Sequence, residues 1–171
     1  MIHVIYHNGD FDGEFCHQIA RKFLGDKDVT YIGWNYGEQL ATLDMAIDDT
    51  VYLLDLSIPA VMDHPDLIWI DHHKTAIDKY SSEIEGYRID GVAACRLAWQ
   101  WFQLVGWVDD RFLPEKSTFE KRFVHEPYAV RMAGEYDVWD KRDPDAELFQ
   151  FGLRSRQLSE QDWREMLKLG R

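Results

Sequence analysis

The chain has 171 residues, 46% hydrophobic and 14% aromatic, enough to bury a core in one domain and too apolar for disorder. Its 31 Asp and Glu against 19 Lys and Arg leave a net charge of −12; so acidic a surface disfavours long nucleic acid and anionic membranes, both of which need clustered cationic charge. With no bilayer-spanning apolar run, no signal-like opening, and only Cys16 and Cys95 as thiols, we expect one soluble, cytoplasmic domain over residues 1–171 with both cysteines buried and reduced.

In chain order, the apolar run Ile2–Tyr6 reads as a buried strand, and His7-Asn8-Gly9-Asp10-Phe11-Asp12-Gly13 leaves its carboxyl end. Gly13–Leu24 carries a helical stripe of Phe15, Cys16, Ile19, Ala20, Phe23 and Leu24, ended by Gly25-Asp26. Val29–Trp34 is β-branched and aromatic and predicts a strand; Gly37–Ile47 predicts a helix, with a turn at Asp48-Asp49. Val51–Leu56 and Leu67–Ile70 are near-continuous apolar runs, as parallel strands covered on both faces require. Ile58–Met62 fits one helical turn, Lys74–Tyr80 a short helix, and Tyr87–Ile89 a short strand. Gly91–Val105 predicts a helix apolar on nearly every side, hence buried. Phe119–Ala133 predicts another, which Pro127 should break or kink. Asp140–Asp145 reads as a polar turn. Ser159–Leu169 reads as a last helix, with Ser159 as N-cap and Asp162 in place of the usual Glu. The alternation predicts an α/β fold: a mostly parallel sheet with helices on both faces.

Three of these strands end on Asp or His: the first on His7, Asp10 and Asp12, the third on Asp55, the fourth on Asp71-His72-His73. Ligand sites of open α/β sheets lie outside the carboxyl ends of the strands. Aspartate is a hard oxygen ligand and neutral imidazole suits Mn, Fe, Ni and Zn, so a mixed His/Asp set without cysteine fits Mn²⁺. In a tight turn before Gly13, Asp10 and Asp12 can reach a shared cation pair, and Gly13 lets the backbone leave that turn for the helix. Asp55, on a neighbouring strand, is placed to bridge. Each motif alone has an ordinary reading: Asp-x-Asp-Gly occurs in plain turns and calcium loops, Asp55 could cap a helix, and His72-His73 could lie on the surface. All three at strand ends of one α/β unit argue for a metal site.

Together, Asp71-His72-His73 after an apolar strand, His7…Asp10-x-Asp12-Gly13 upstream and Asp55 between them resemble the DHH phosphoesterase superfamily. That superfamily includes RecJ-type exonucleases, manganese pyrophosphatases, nano-RNases and cyclic-dinucleotide phosphodiesterases. The nano-RNase-like branch is most similar, through His7-Asn8, Asp55-Leu56-Ser57 and Tyr136-Asp137-Val138-Trp139-Asp140. The resemblance implies a Rossmann-like catalytic domain with two Mn²⁺ ions, Mg²⁺ or Co²⁺ being alternatives. It implies His7 and Asp10 on the first ion, Asp55 bridging, and Asp12, His72 and Asp137 completing the second. His73 would face the substrate phosphate, and Asp71 would orient a ligand from behind. Spacing does not choose among Asp137, Asp140 and Asp143. Two features depart from the family. His7 stands three residues before Asp10, where many members have two or four. The glycine-rich, histidine-containing segment of a C-terminal substrate-binding domain is not found before Arg171, so we expect either a short protein or a fragment, with any clamp supplied elsewhere.

Lys74, Arg88 and Arg96 follow the Asp-His-His strand and could meet a phosphate, although salt bridging is the commoner role. Arg154 and Arg156 have the same two readings. Trp99, Trp101 and Trp107 read as core; Trp34 and Trp139 flank the site loops and could stack on a base, with packing the default. His3, His17, His64 and His125 have no evident partners. The expected function is manganese-dependent hydrolysis of phosphodiester bonds in short oligonucleotides or dinucleotides by a two-metal mechanism, with long nucleic acid disfavoured as a partner, no membrane partner expected and an oligomer compatible. The rivals are a pyrophosphatase or small-molecule phosphatase, and a non-catalytic nucleotide-binding module of the same fold.

Overall fold

Residues 1–38, 45–104 and 112–169 are described by the structure, a computed structural model. Five strands, β1 (Ile2–His7), β2 (Val29–Trp34), β3 (Thr50–Leu54), β4 (Leu67–Asp71) and β5 (Glu85–Arg88), form one sheet in the order β2-β1-β3-β4-β5. Every neighbouring pair is parallel. Among the described residues the helices are α1 (Phe11–Leu24), α2 (Lys74–Lys79), α3 (Ala94–Leu104), α4 (Lys116–Glu120), α5 (Tyr128–Asp137), α6 (Asp145–Arg154) and α7 (Glu160–Met166). The expected α/β architecture is therefore present.

Strand side chains alternate between two cores, as the period of two requires. Val4, Tyr52, Leu54, Ile68 and Ile70 face a large core with α1, α3 and α5. Ile5, Val51, Leu53, Leu67 and Trp69 face a smaller one, closed by Ile58, Val61 and Met62 of a single hydrogen-bonded turn and by Ala76 and Ile77 of α2. After β1 the chain runs out to β2 and then returns to the other side of β1 to form β3. The connections leaving β1 and β3 thus diverge, and the crevice between them opens at the strands' carboxyl ends.

Several expectations need correction. The first helix begins at Phe11, with Asp10 as its N-cap accepting from the Gly13 N–H at 3.1 Å; a capping carboxylate satisfies an otherwise orphaned donor. Gly13 thus lies inside the helix. It is required because a Cβ there would sit 1.9 Å from the His7 carbonyl oxygen, not because the backbone must leave a turn. The last strand is Glu85–Arg88 rather than Tyr87–Ile89. The helix expected over Gly91–Val105 starts at Ala94, after Gly91 at φ +82, and Val105 and Trp107 lie outside the described residues. So does most of the helix expected over Gly37–Ile47.

Phe119–Ala133 is not one helix but parts of two, α4 and α5. Pro127, at φ −59, occupies the N-cap of α5, where its missing N–H costs nothing. Arg122 turns the chain with φ 58, and its guanidinium donates to both oxygens of buried Glu135. The loop is pinned to α3 by the buried Arg96–Glu126 pair and by Trp99 and Gln100, which donate to the His125 carbonyl. Helix α6 was not anticipated, because Asp143-Pro144-Asp145 reads as a turn; it is the start of a helix whose Leu153 joins the large core while Phe149 packs at its edge. Helix α7 has the expected capping box between Ser159 and Asp162. Cys16 and Cys95 are buried free thiols, and burial pushes both pKa values up. No described helix is long and apolar enough to cross a membrane.

Candidate metal centre

Three consecutive strands of the sheet, β1, β3 and β4, deliver the predicted residues to one crevice. His7 is the last residue of β1 and Asp12 sits in the first turn of α1. Asp55 directly follows β3, and its backbone N–H donates to the Ile70 carbonyl at 2.9 Å. It adopts φ 61, a left-handed conformation that Asp tolerates better than most residues but still at a cost. Strain of this kind is held in place by its surroundings and is typical of functional positions. Asp71 ends β4, with His72 and His73 just beyond it, and Asp137 ends α5.

Three overlapping groups result: His7, Asp10 and Asp55; Asp12, His72 and Asp137; and Asp55, His72 and His73. Within each, one ligand atom per residue lies within 4.8 Å of the others. Asp55 links the groups. Its Oδ2 is 3.4 Å from His7 Nδ1, and its Oδ1 is 3.4 Å from His72 Nε2 and 3.9 Å from His73 Nδ1. His7 Nδ1 is also 3.1 Å from Asp10 Oδ2. His72 Nε2 lies 3.5 Å from Asp12 Oδ2 and 3.4 Å from Asp137 Oδ2. The alternative carboxylates at this end are engaged elsewhere: Asp140 by Arg142 and Asp143 by Arg131.

The electrostatics follow from four carboxylates sharing one crevice. The Asp10 and Asp55 carboxylates beside its Nδ1 raise His7 to about 10. Burial opposes protonation of His72, yet Asp55, Asp12 and Asp137 raise it to about 10. Burial raises Asp12 well above the usual carboxylate range and Asp137 to about 6. Asp55 moves the other way: burial would raise it, but His7 and His72 hold it down. Protons on the imidazoles thus compensate the carboxylates, the role that a bound cation fills in a metal site.

The donor set fits a metal pair by a direct structural criterion. His7 Nδ1 and Asp55 Oδ1 are buried and have no well-formed hydrogen bond among the described residues, although buried polar atoms are normally satisfied. Asn35 settles the tautomer of His7. The Tyr36 N–H donates to Asn35 Oδ1 at 2.8 Å, which identifies that atom as the oxygen, and His7 Nε2 lies 3.2 Å from it. Nε2–H donates there, so Nδ1 is the nitrogen that faces Asp10 and Asp55, protonated in the metal-free protein and available to a cation once that proton is displaced.

Asp71 is fully buried and acts from behind the cluster. Its Oδ1 accepts from the backbone N–H groups of His72 and His73 at 2.7 and 3.1 Å and lies 2.6 Å from His73 Nδ1. Its Oδ2 accepts from the Trp69 indole at 3.2 Å, which ties the arrangement to the smaller core. With Nδ1 held by Asp71, His73 presents Nε2 outward, and Asp71 raises its pKa.

Other predicted residues are not brought into the cluster. Lys74 pairs with Asp78. Arg88 donates to the carbonyls of Trp69 and Ile84 and covers the Trp69 ring. Arg96 is the buried partner of Glu126. Arg156 pairs with Asp162. Trp34 packs at the edge of the smaller core. Trp139 is 71% exposed, against the packing role expected of it, and stacks beside Tyr136. His3 pairs with Asp49, and His17 stacks on Tyr6 while meeting Glu14. Asn35 and Tyr36 were missed, although β2 neighbours β1 and its carboxyl end opens on the same edge.

Fold and site together define an α/β protein of the doubly wound type, with a His/Asp cluster at the β1/β3 switch point. No family model and no curated protein matches the chain. Among solved structures, an uncharacterized protein from Helicobacter pylori G27 is similar in fold, with a TM-score of 0.61 at 16% identity over 91% of this chain. The chain spans about half, 48%, of that structure's length.

Proposed function

We propose that the protein is a metal-dependent phosphoesterase of the DHH type, hydrolysing phosphodiester bonds in dinucleotides or short oligonucleotides. The observation that carries this reading is the position of Asp55, a strained, buried carboxylate shared between one ligand group around His7 and another around His72. His7, Asp10 and Asp55 would hold one divalent ion, and Asp55, Asp12, His72 and Asp137 a second, with manganese the best match to mixed carboxylate and imidazole ligands. Bound there, the ions would lower the pKa of a coordinated water and draw charge from the phosphoryl oxygens.

The protein's own groups do the rest. Asp71 holds His73 through Nδ1, so Nε2 would carry the proton donated to a phosphoryl oxygen or to the departing alkoxide. The choice of small substrates rests on the family resemblance and on the acidic surface, which repels a long polyanion. The test is hydrolysis of a dinucleotide, pyrophosphate and bis(p-nitrophenyl) phosphate, each with Mn²⁺ and with chelator. We expect mononucleotide release that chelator abolishes and that Asp55→Asn lowers by about 10³-fold or more. Release undiminished in chelator would overturn the mechanism, and phosphate release from pyrophosphate alone would overturn the substrate class.

A further inference from the structure

We propose that the cleft between the β1–α1 turn and α6 is a nucleoside subsite for the substrate, with Gln150 reading the edge of the base and Arg154 lying along it. This rests on the phosphodiesterase reading above and names the group next to the scissile phosphate. The cleft has a volume of ≈ 320 Å³ and is lined by Asn8, Gly9, Asp10, Phe11, Gln150 and Arg154, with Glu14 at its margin. It begins at the candidate metal centre, because Asp10 belongs to both.

Gln150 is only 5% exposed, and its Oε1 is buried without a hydrogen bond among the described residues. A buried amide left unpaired is costly unless a ligand completes it. Arg154, one helical turn on, shares the same face of α6. No carboxylate pairs with it among the described residues; its guanidinium lies over the Tyr136 ring, 5.7 Å from the centroid. Helix α6 is held against α1 through the Phe149–Phe15 contact, with ring centroids 6.3 Å apart, so these side chains sit on a fixed support.

The chemistry favours a base over a second phosphate. Asp10 and Glu14 line the cleft and repel an anion, whereas a carboxamide offers one acceptor and one donor side by side. That pattern matches the paired donor and acceptor edge of adenine, and a planar guanidinium stacks on a π face.

The variants are Gln150→Leu and Arg154→Ala, each in the full chain. Leucine removes the unpaired amide at similar volume, so folding should be kept and the melting temperature unchanged or raised. We expect kcat/KM for an adenine dinucleotide to fall about tenfold or more in each variant, mainly through KM, while bis(p-nitrophenyl) phosphate changes by less than about twofold. Adenosine binding to the metal-free protein, followed by ligand-observed NMR, should be lost in both. Equal losses on both substrates, or adenosine binding unchanged in the variants, would overturn the subsite. If the wild-type protein hydrolysed neither substrate, the phosphodiesterase reading would fall, and adenosine binding alone would decide the subsite.

Discussion

Asp12 holds the start of a helix that lies more than eighty residues further along the chain. Its Oδ1 accepts from the Cys95 N–H at 2.8 Å and its Oδ2 from the Ala94 N–H at 2.9 Å, while the same Oδ2 lies 3.5 Å from His72 Nε2. One carboxylate therefore anchors the buried helix α3 through its positive end and also faces the candidate metal centre. Asp12→Ala leaves two buried N–H groups unpaired and should destabilise the metal-free protein by about 2–3 kcal/mol, since each buried donor left unsatisfied costs about 1–3 kcal/mol. Urea denaturation in chelator measures it. Asp10→Ala, which removes the N-cap of α1 and one carboxylate beside His7, should cost about 1 kcal/mol through the cap.

Gly13→Ala tests the contact between α1 and β1. Its Cβ would fall 1.9 Å from the His7 carbonyl oxygen, and backbone cannot yield as a flexible side chain does. We expect a loss of about 3 kcal/mol or failure to fold, together with loss of metal affinity because His7 must move. A variant with unchanged denaturation midpoint would show that the helix can shift away from the strand.

Manganese should stabilise the folded chain by mass action. At a hundredfold excess over Kd the gain is about 2.7 kcal/mol, which for a chain of this size corresponds to a rise of roughly 5–10 °C in melting temperature. Asp55→Asn tests the bridge, because Asn also tolerates the left-handed backbone but carries no charge. It should fold and show little or none of this shift in a thermal melt with Mn²⁺.

His73 and Asp71 act as a pair. His73→Ala should lower turnover by about 10²–10⁴-fold, the usual weight of a positioned acid, with metal stoichiometry by elemental analysis unchanged. Asp71→Asn keeps an acceptor for the Trp69 indole but no longer stabilises the His73 imidazolium. The alkaline limb of the turnover profile, where a proton donor is lost, should show that change as a lowered pKa, which a purely structural role would not move.

The histidines set the pH dependence of the metal-free protein. His7 and His72 are raised from an ordinary 6.5 to about 10 in the folded state. Below 6.5 they are protonated in folded and unfolded chains alike, so their contribution is complete there; it is lost as pH rises from 6.5 through about 10. The urea midpoint in chelator should therefore fall across that window, and the slope should flatten in His7→Asn. Manganese must displace the same protons, so its affinity should rise with pH over the same range.

The parallel sheet was legible because strands buried on both faces are apolar without interruption, as Val51–Leu54 and Leu67–Ile70 are. The ends of those runs marked the site: His7, Asp55, Asp71, His72 and His73 each stand where an apolar strand stops. Local rules also placed the capping box of Ser159 and Asp162. They marked a break at Pro127 but not the loop before it, which distant partners fix, and they failed at Asp143-Pro144-Asp145, where turn residues open a helix.

Residue order alone therefore determined the fold class and the identity of the ligand candidates, since both follow from hydrophobic periodicity and from which side chains leave the strand ends. Only the tertiary structure showed that Asp137 rather than Asp140 lies beside His72, Asp140 being paired with Arg142. It alone also joined Asp12 to α3 and brought Gln150 and Arg154 of α6 beside Asp10. Apart from the local Asp140–Arg142 pair, these are contacts between residues far apart in the chain, set by the packing of helices on the sheet, and no local pattern encodes them.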